Sequence, residues 1–228
     1  MAALTAWIGA GLVSSAWAEE APETVESGIK VPAEVGGLPL VAAGTRTLFY
    51  MVNTYVVALY MDRRAARRTL AGTPHDGSPL GRRLAYAAVG LDSSVPRTIT
   101  LVTLRATTTD HMAMSLSAAI DGHLTELAAG SEDGPAGEAR KTLREAHTPA
   151  VAAFKQLWGA APLPAGACVE MRMPGDGELQ LWIDGSLRGT MRSYPLCVAL
   201  FLNYADSARS KVPAVARAYE TLLDALIR

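Results

Sequence analysis

A chain of 228 residues, half of them hydrophobic and 19% charged, has enough apolar material for a single core and is too apolar to stay disordered. Its formal net charge of −1 excludes a protein drawn to nucleic acid by a global positive field. The two cysteines and four histidines fall in no CxxC or HExxH spacing, so neither a metal site nor a cofactor is expected.

The first 18 residues, MAALTAWIGAGLVSSAWA, are uncharged and rich in small residues, and they end in Ala16-Trp17-Ala18 before Glu19 and Glu20. That pattern is a secretory apolar region followed by a signal-peptidase site, although no Lys or Arg precedes it. The expectation is export with cleavage after Ala18, a disordered leader over 19–30, a single domain over 31–228, and a periplasmic or secreted location. The alternative is an uncleaved anchor, short against the roughly 20 residues of a bilayer span.

Residues 31–40 read as a short strand region broken by Gly36-Gly37. The run LPLVAAGTRTLFYMVNTYVVALYM, residues 38–61, holds one charged residue, Arg46. The β-branched and aromatic residues around it favour strands, either two or one long bent one over 46–61. A guanidinium stays protonated, so in such surroundings it needs either an acidic partner from the chain or a bound anion. A charged group projecting from a strand into an apolar cleft is how a site for an amphipathic acid is built.

A short helix is expected over 63–71. Its Arg63, Arg64, Arg67 and Arg68, with Arg82 and Arg83 beyond, are the basic patch of the chain: a solvated face, or a peripheral contact with membrane headgroups. GTPHDGSPLG, residues 72–81, has the chemistry of a surface loop. Residues 84–89 and 97–104 read as strands. Thr109 can cap a helix in which Met112, Leu116, Ala119, Ile120, Leu124 and Leu127 recur at helical spacing. His111, in the first turn, reads as an exposed residue or as a general base. A loop over 130–137, a helix over 138–147 and a further stripe, Val151, Phe154, Leu157 and Trp158, complete the middle of the chain.

CVEMRM and LQLWI flank Pro174-Gly175-Asp176-Gly177, and Asp184-Gly185 follows, so 168–191 reads as a hairpin with a third strand. Helices are expected at 195–204 and 212–227. Cys168 on a strand and Cys197 on a helix either form a disulfide in an oxidising compartment or remain buried thiols. Strands, then helices, then strands, then helices indicate an α+β domain and not a doubly wound one.

The order of these pieces resembles the chalcone isomerase-like family. The N-terminal signature, with Gly44-x-Arg46 and YVVALY, and the C-terminal one, PGDGELQLWIDGSLRGTM before an apolar helix, carry the resemblance over residues 35–228. The resemblance implies an open-faced β-sandwich, a large antiparallel sheet with helices on one face and a ligand cleft between. Enzymes of the family cyclise a chalcone to a flavanone, using an arginine on the oxyanion with Thr, Tyr, Asn and Thr or Ser helpers. The arginine falls on Arg46. The helper positions fall near Tyr55, His111, Ala118 and Leu202, so only the arginine is kept and the aligned donors of an oxyanion site are lacking. Other members bind fatty acids without catalysis, an Arg and a Tyr holding the carboxylate. Arg46 and Tyr55 look like that pair, with Phe49, Tyr60 and Met112 as ligand-facing neighbours and Met51 and Met114 as an adaptable lining. The reading that results is an exported protein binding a fatty acid or similar amphipathic carboxylate. The alternatives are an intramolecular lyase using Arg46 and His111, and an envelope scaffold with a vestigial cleft.

Overall fold

A computed structural model of the chain describes residues 23–24, 28–48, 52–127, 145, 148–207 and 210–227. The proposed signal segment 1–18, Phe49, Met51 and most of the helix expected over 138–147 lie outside the described residues. The described residues begin with three short strands, β1 (Glu23–Thr24), β2 (Lys30–Val31) and β3 (Glu34–Val35), so part of the expected leader pairs as β1 with β2. Long strands β4 (Leu38–Leu48) and β5 (Val52–Met61) follow, then helices α1 (Arg63–Gly72) and α2 (Pro79–Leu91). Next come β6 (Arg97–Thr103), β7 (Thr107–Thr108), α3 (Thr109–Leu127) and a helix α4 over 148–158. After β8 (Pro162–Leu163), strands β9 (Cys168–Met173), β10 (Glu178–Ile183) and β11 (Ser186–Arg192) lead into α5 (Tyr194–Ala205) and α6 (Pro213–Ile227).

Seven strands form one curled antiparallel sheet in the order β11-β10-β9-β6-β5-β4-β3. Side chains alternate across a strand, so β5 sends Tyr55, Val57, Leu59 and Met61 to one face and Val56, Ala58 and Tyr60 to the other. The first face joins Ile99, Leu101, Val169, Met171, Leu179 and Leu181 to apolar residues of α3, α5 and α6, which form the main core. The second face is covered at the β5 end by Val31 and Val35. The α+β sheet-and-helix architecture expected from the sequence is the one observed.

Gly44 explains how α6 lies down on β4. A Cβ at that position would stand 3.0 Å from Val212 Cγ1 and 3.1 Å from Val215 Cγ2, closer than packed atoms sit. The Asp184-Gly185 turn between β10 and β11 forms as expected, with both residues in the left-handed region (φ 48° and 74°) that a tight hairpin demands.

Two expectations are corrected, and the choice left open for the cysteines is decided. Residues 84–89 are not a strand but the centre of α2. Ser78 accepts a hydrogen bond from Gly81 N and Pro79 takes the first turn, so two helix-start signals carry the short apolar run 84–89 into a helix. Thr108, not Thr109, caps α3, accepting from His111 N at 3.1 Å. Thr109 is buried instead, its hydroxyl tying α3 to the Gly159 and Ala161 backbone. The disulfide does not form: both cysteines are free. Cys168 N bonds Asp184 at one end of the β9–β10 hairpin, whereas Cys197 Sγ lies 3.5 Å from Gly177 O at the other. A six-residue strand separates its ends by roughly 17 Å, far beyond the roughly 7 Å Cα separation a disulfide tolerates.

Candidate functional site

Arg46 and Tyr55 are directly opposed partners in the β4–β5 pair. Residues two apart share a strand face, so Gly44 under α6 and Arg46 point the same way, toward the helices. Arg46 is half-buried; its NH1 donates to the Tyr55 hydroxyl at 2.6 Å and its Cζ lies 5.3 Å from the Tyr55 ring centroid. The Tyr55 hydroxyl is in turn 3.3 Å from that of Tyr204, which α5 brings up from 149 positions further along the chain. Among the described residues the ion pairs are Arg172–Glu170 and Arg192–Glu178, and neither involves Arg46.

Beside this cluster opens a cavity of about 180 Å³. The β4–β5 pair gives it Arg46, Thr54 and Tyr55; the turn into β7 gives Arg105, Ala106 and Thr107; α3 gives His111, Met112 and Ser115. Its polar lining is two guanidiniums, the His111 imidazole and several hydroxyls, with no Asp or Glu among the described residues. A larger cavity of about 410 Å³ between α2, α5 and α6 is lined by Arg83 but also by Asp206 and Glu220, which disfavour an anion there.

The hydrogen-bond logic favours an acceptor as guest. Arg46 occupies a lone pair of the Tyr55 oxygen, which leaves the Tyr55 O–H to donate either to Tyr204 or into the cavity. Burial holds the Tyr204 phenol well above its ordinary pKa, with Tyr55 beside it adding to the effect. Tyr204 therefore stays a neutral donor, able to bond the Tyr55 oxygen while Tyr55 donates outward. Such a chain strengthens each of its links.

Of the residues singled out from sequence, Arg46, Tyr55, His111 and Met112 meet at this cavity. Tyr60 does not. It projects from the opposite face of β5, packs with Val31 and Val35, and donates its hydroxyl to Pro32 O at 3.0 Å. Phe49 lies outside the described residues. His111 is exposed, Met114 points to solvent at 58% exposure, and Ala118 sits on the outer side of α3. Leu202 lines the cavity between α2, α5 and α6 instead. The sequence reading missed Tyr204, Arg105, Thr107 and Ser115. For Tyr204 there was a signal: a tyrosine inside an apolar helix, PLCVALFLNY, needs a hydroxyl partner if buried.

No family model matches the sequence, and no curated protein does. Among solved structures, the fatty-acid binding protein of Arabidopsis thaliana superposes with a TM-score of 0.67 at 15% identity. The match covers 92% of this chain and 99% of that one. This chain has the chalcone isomerase-like fold. Within the chalcone isomerase-like fold as built here, the Gly44-x-Arg46 step has two consequences on one strand face: the glycine seats α6, and the arginine two residues on lines the cavity beside α3.

Proposed function

We propose that the protein binds a fatty acid or similar amphipathic carboxylate, with Arg46 and Tyr55 holding the acid group. The observation that carries the reading is a half-buried guanidinium whose one described hydrogen bond goes to a phenol, beside an open cavity lined among the described residues by donors and by no acid. One carboxylate oxygen takes a free guanidinium N–H and the other takes the Tyr55 O–H, an ionic pair with a neutral third donor. Met112 stands for the apolar side of the guest. The fold it shares with a plant fatty-acid binding protein supports the reading.

The test is titration of the purified protein with a saturated medium-chain fatty acid and with its methyl ester. A hydrogen bond to a charged group contributes about 1.5–3 kcal/mol, so the ester is expected to bind at least tenfold more weakly. Equal affinity for acid and ester, or for the parent chain and Arg46→Met, rules the reading out. We also read the chain as exported to the periplasm or beyond, on the strength of Ala16-Trp17-Ala18 after an apolar segment. N-terminal sequencing of the mature protein, starting at Glu19, checks that.

A further inference from the structure

Among the described residues six large hydrophobic side chains are exposed, and four of them lie together. Leu80, Leu84 and Leu91 of α2 are 68%, 59% and 41% exposed, and Tyr194, 42% exposed, donates its hydroxyl to the Leu91 carbonyl. At 100° per residue the three leucines fall within about 40° of one another around α2, opposite the buried Ala85 and Val89. They form a stripe roughly 16 Å long on the outer side of a helix whose inner side is already packed. A contiguous apolar stripe of this kind marks an interaction surface.

Charge says which kind. From Asp62 to Asp92 the chain carries six arginines against three aspartates, a net of +3 within a total of −1. All three aspartates are engaged locally. Asp62 accepts from Arg64 N and Ala65 N, Asp76 from Ser78 N, and Asp92 from Thr69 and Ser94. Arg63, Arg64, Arg67, Arg68, Arg82 and Arg83 are exposed and none of them enters a described ion pair. Helices α1 and α2 pack together, so the leucine stripe and the arginines belong to one unit. A second copy would bring two such positive faces together, whereas an anionic lipid surface satisfies both parts.

We infer that the α1–α2 face docks on an anionic membrane, Leu80, Leu84, Leu91 and Tyr194 entering the headgroup boundary while the arginines meet lipid phosphates. The inference uses none of the residues of the acid-binding site. The test is flotation of the full chain with vesicles of phosphatidylcholine alone and of equimolar phosphatidylcholine and phosphatidylglycerol, at low and high salt. The parent should float with the anionic vesicles, and high salt should weaken this. The pair Leu80→Ser with Leu84→Ser should lower partitioning about tenfold or more, because each removes a side chain that enters the apolar boundary. Arg67→Glu with Arg68→Glu should lower it at least fivefold on anionic vesicles. Thermal melting like that of the parent shows that these surface variants fold, and unchanged acid binding by the leucine pair separates this face from the Arg46 cavity. Equal flotation of the parent and the leucine pair overturns the inference, as does equal flotation on neutral vesicles. A leucine-dependent dimer in sedimentation without vesicle binding overturns it in favour of a second copy.

Discussion

Among the described residues, Arg97 and Arg46 both point from the sheet toward the helices and serve opposite ends. Arg97, at the start of β6, is 4% exposed and spends its donors on the chain: Nε to Val95 O at 3.2 Å, NH1 to Gly90 O at 2.8 Å, and NH2 to Asp92 O. Those carbonyls belong to the C-terminal end of α2 and the turn after it, where a helix presents unpaired oxygens and negative dipole charge. Its Cζ sits 4.6 Å from the Phe201 ring centroid, and the space beside it is about 10 Å³, no more than one water can use. Arg46 bonds one phenol and faces about 180 Å³. A buried guanidinium is a site only where donors are left over and volume is left open. By that measure Arg97 is a clamp on α2, whereas Arg46 keeps the spare donors and open volume that the proposed acid site requires.

Removing the clamp should have the largest effect. Arg97→Ala strips the donor from the Gly90 and Val95 carbonyls, leaves Asp92 O with Val95 N alone and opens a void against Phe201, which should cost about 3 kcal/mol or more. In calorimetry that is a drop in Tm of about 6–12 °C for a domain of this size. Fatty-acid affinity in the surviving folded protein should be unchanged. A Tm like that of the parent would erase the distinction drawn between the two arginines.

Arg46→Met should do the reverse. Acid affinity should fall tenfold or more by isothermal titration, while Tm moves by no more than about 2 °C, because no buried acid loses its partner. Tyr55→Phe, which keeps the ring and the guanidinium, sharpens the assignment of the third donor. One neutral hydrogen bond contributes about 1 kcal/mol, so a loss near fivefold is expected, with Tyr204→Phe smaller again because its hydroxyl acts through Tyr55.

The smallest effect is a pH dependence of stability, carried by buried thiols and phenols of which Cys197 and Tyr219 lie beside the clamp. Burial pushes the Cys197 and Cys168 thiols up to about 12, and burial with the Asp224 hydrogen bond pushes the Tyr86 phenol to about 12. Burial raises Tyr219, beside Arg97, further still. A raised pKa means the folded state holds its proton more tightly. Stability from these groups is therefore intact below their ordinary values of 9.0 and 10.0 and is lost as pH climbs toward about 12. Urea midpoints should be flat up to about pH 8.5 and fall above it, and Cys197→Ala should lessen the fall. A midpoint that rises above pH 9 would contradict the assignment.

Much of the frame was legible in the residues. Turn chemistry at Pro174–Gly177 and Asp184-Gly185 located the hairpin, the helix expected over 212–227 is α6, and a lone charge in an apolar run located Arg46. Tyr60 could have been set aside from the sequence as well. It stands five residues from Tyr55, and an odd separation in a strand puts two side chains on opposite faces. Local patterns also misled in α2, where the short apolar run 84–89 fits a buried strand and a helix segment equally well.

What the sequence determined by itself is what depends on neighbours a few residues apart: strand alternation, turn conformation, helix stripes and the need of a guanidinium for partners. Which partners each arginine received was decided only by tertiary structure. Tyr204 reaches Tyr55 across 149 residues, and Arg97 meets carbonyls that exist as free acceptors only because α2 ends there. Hydrogen bonds are short-ranged and directional, so their pairing follows from the placement of whole elements, and that placement is set by packing of the shared core.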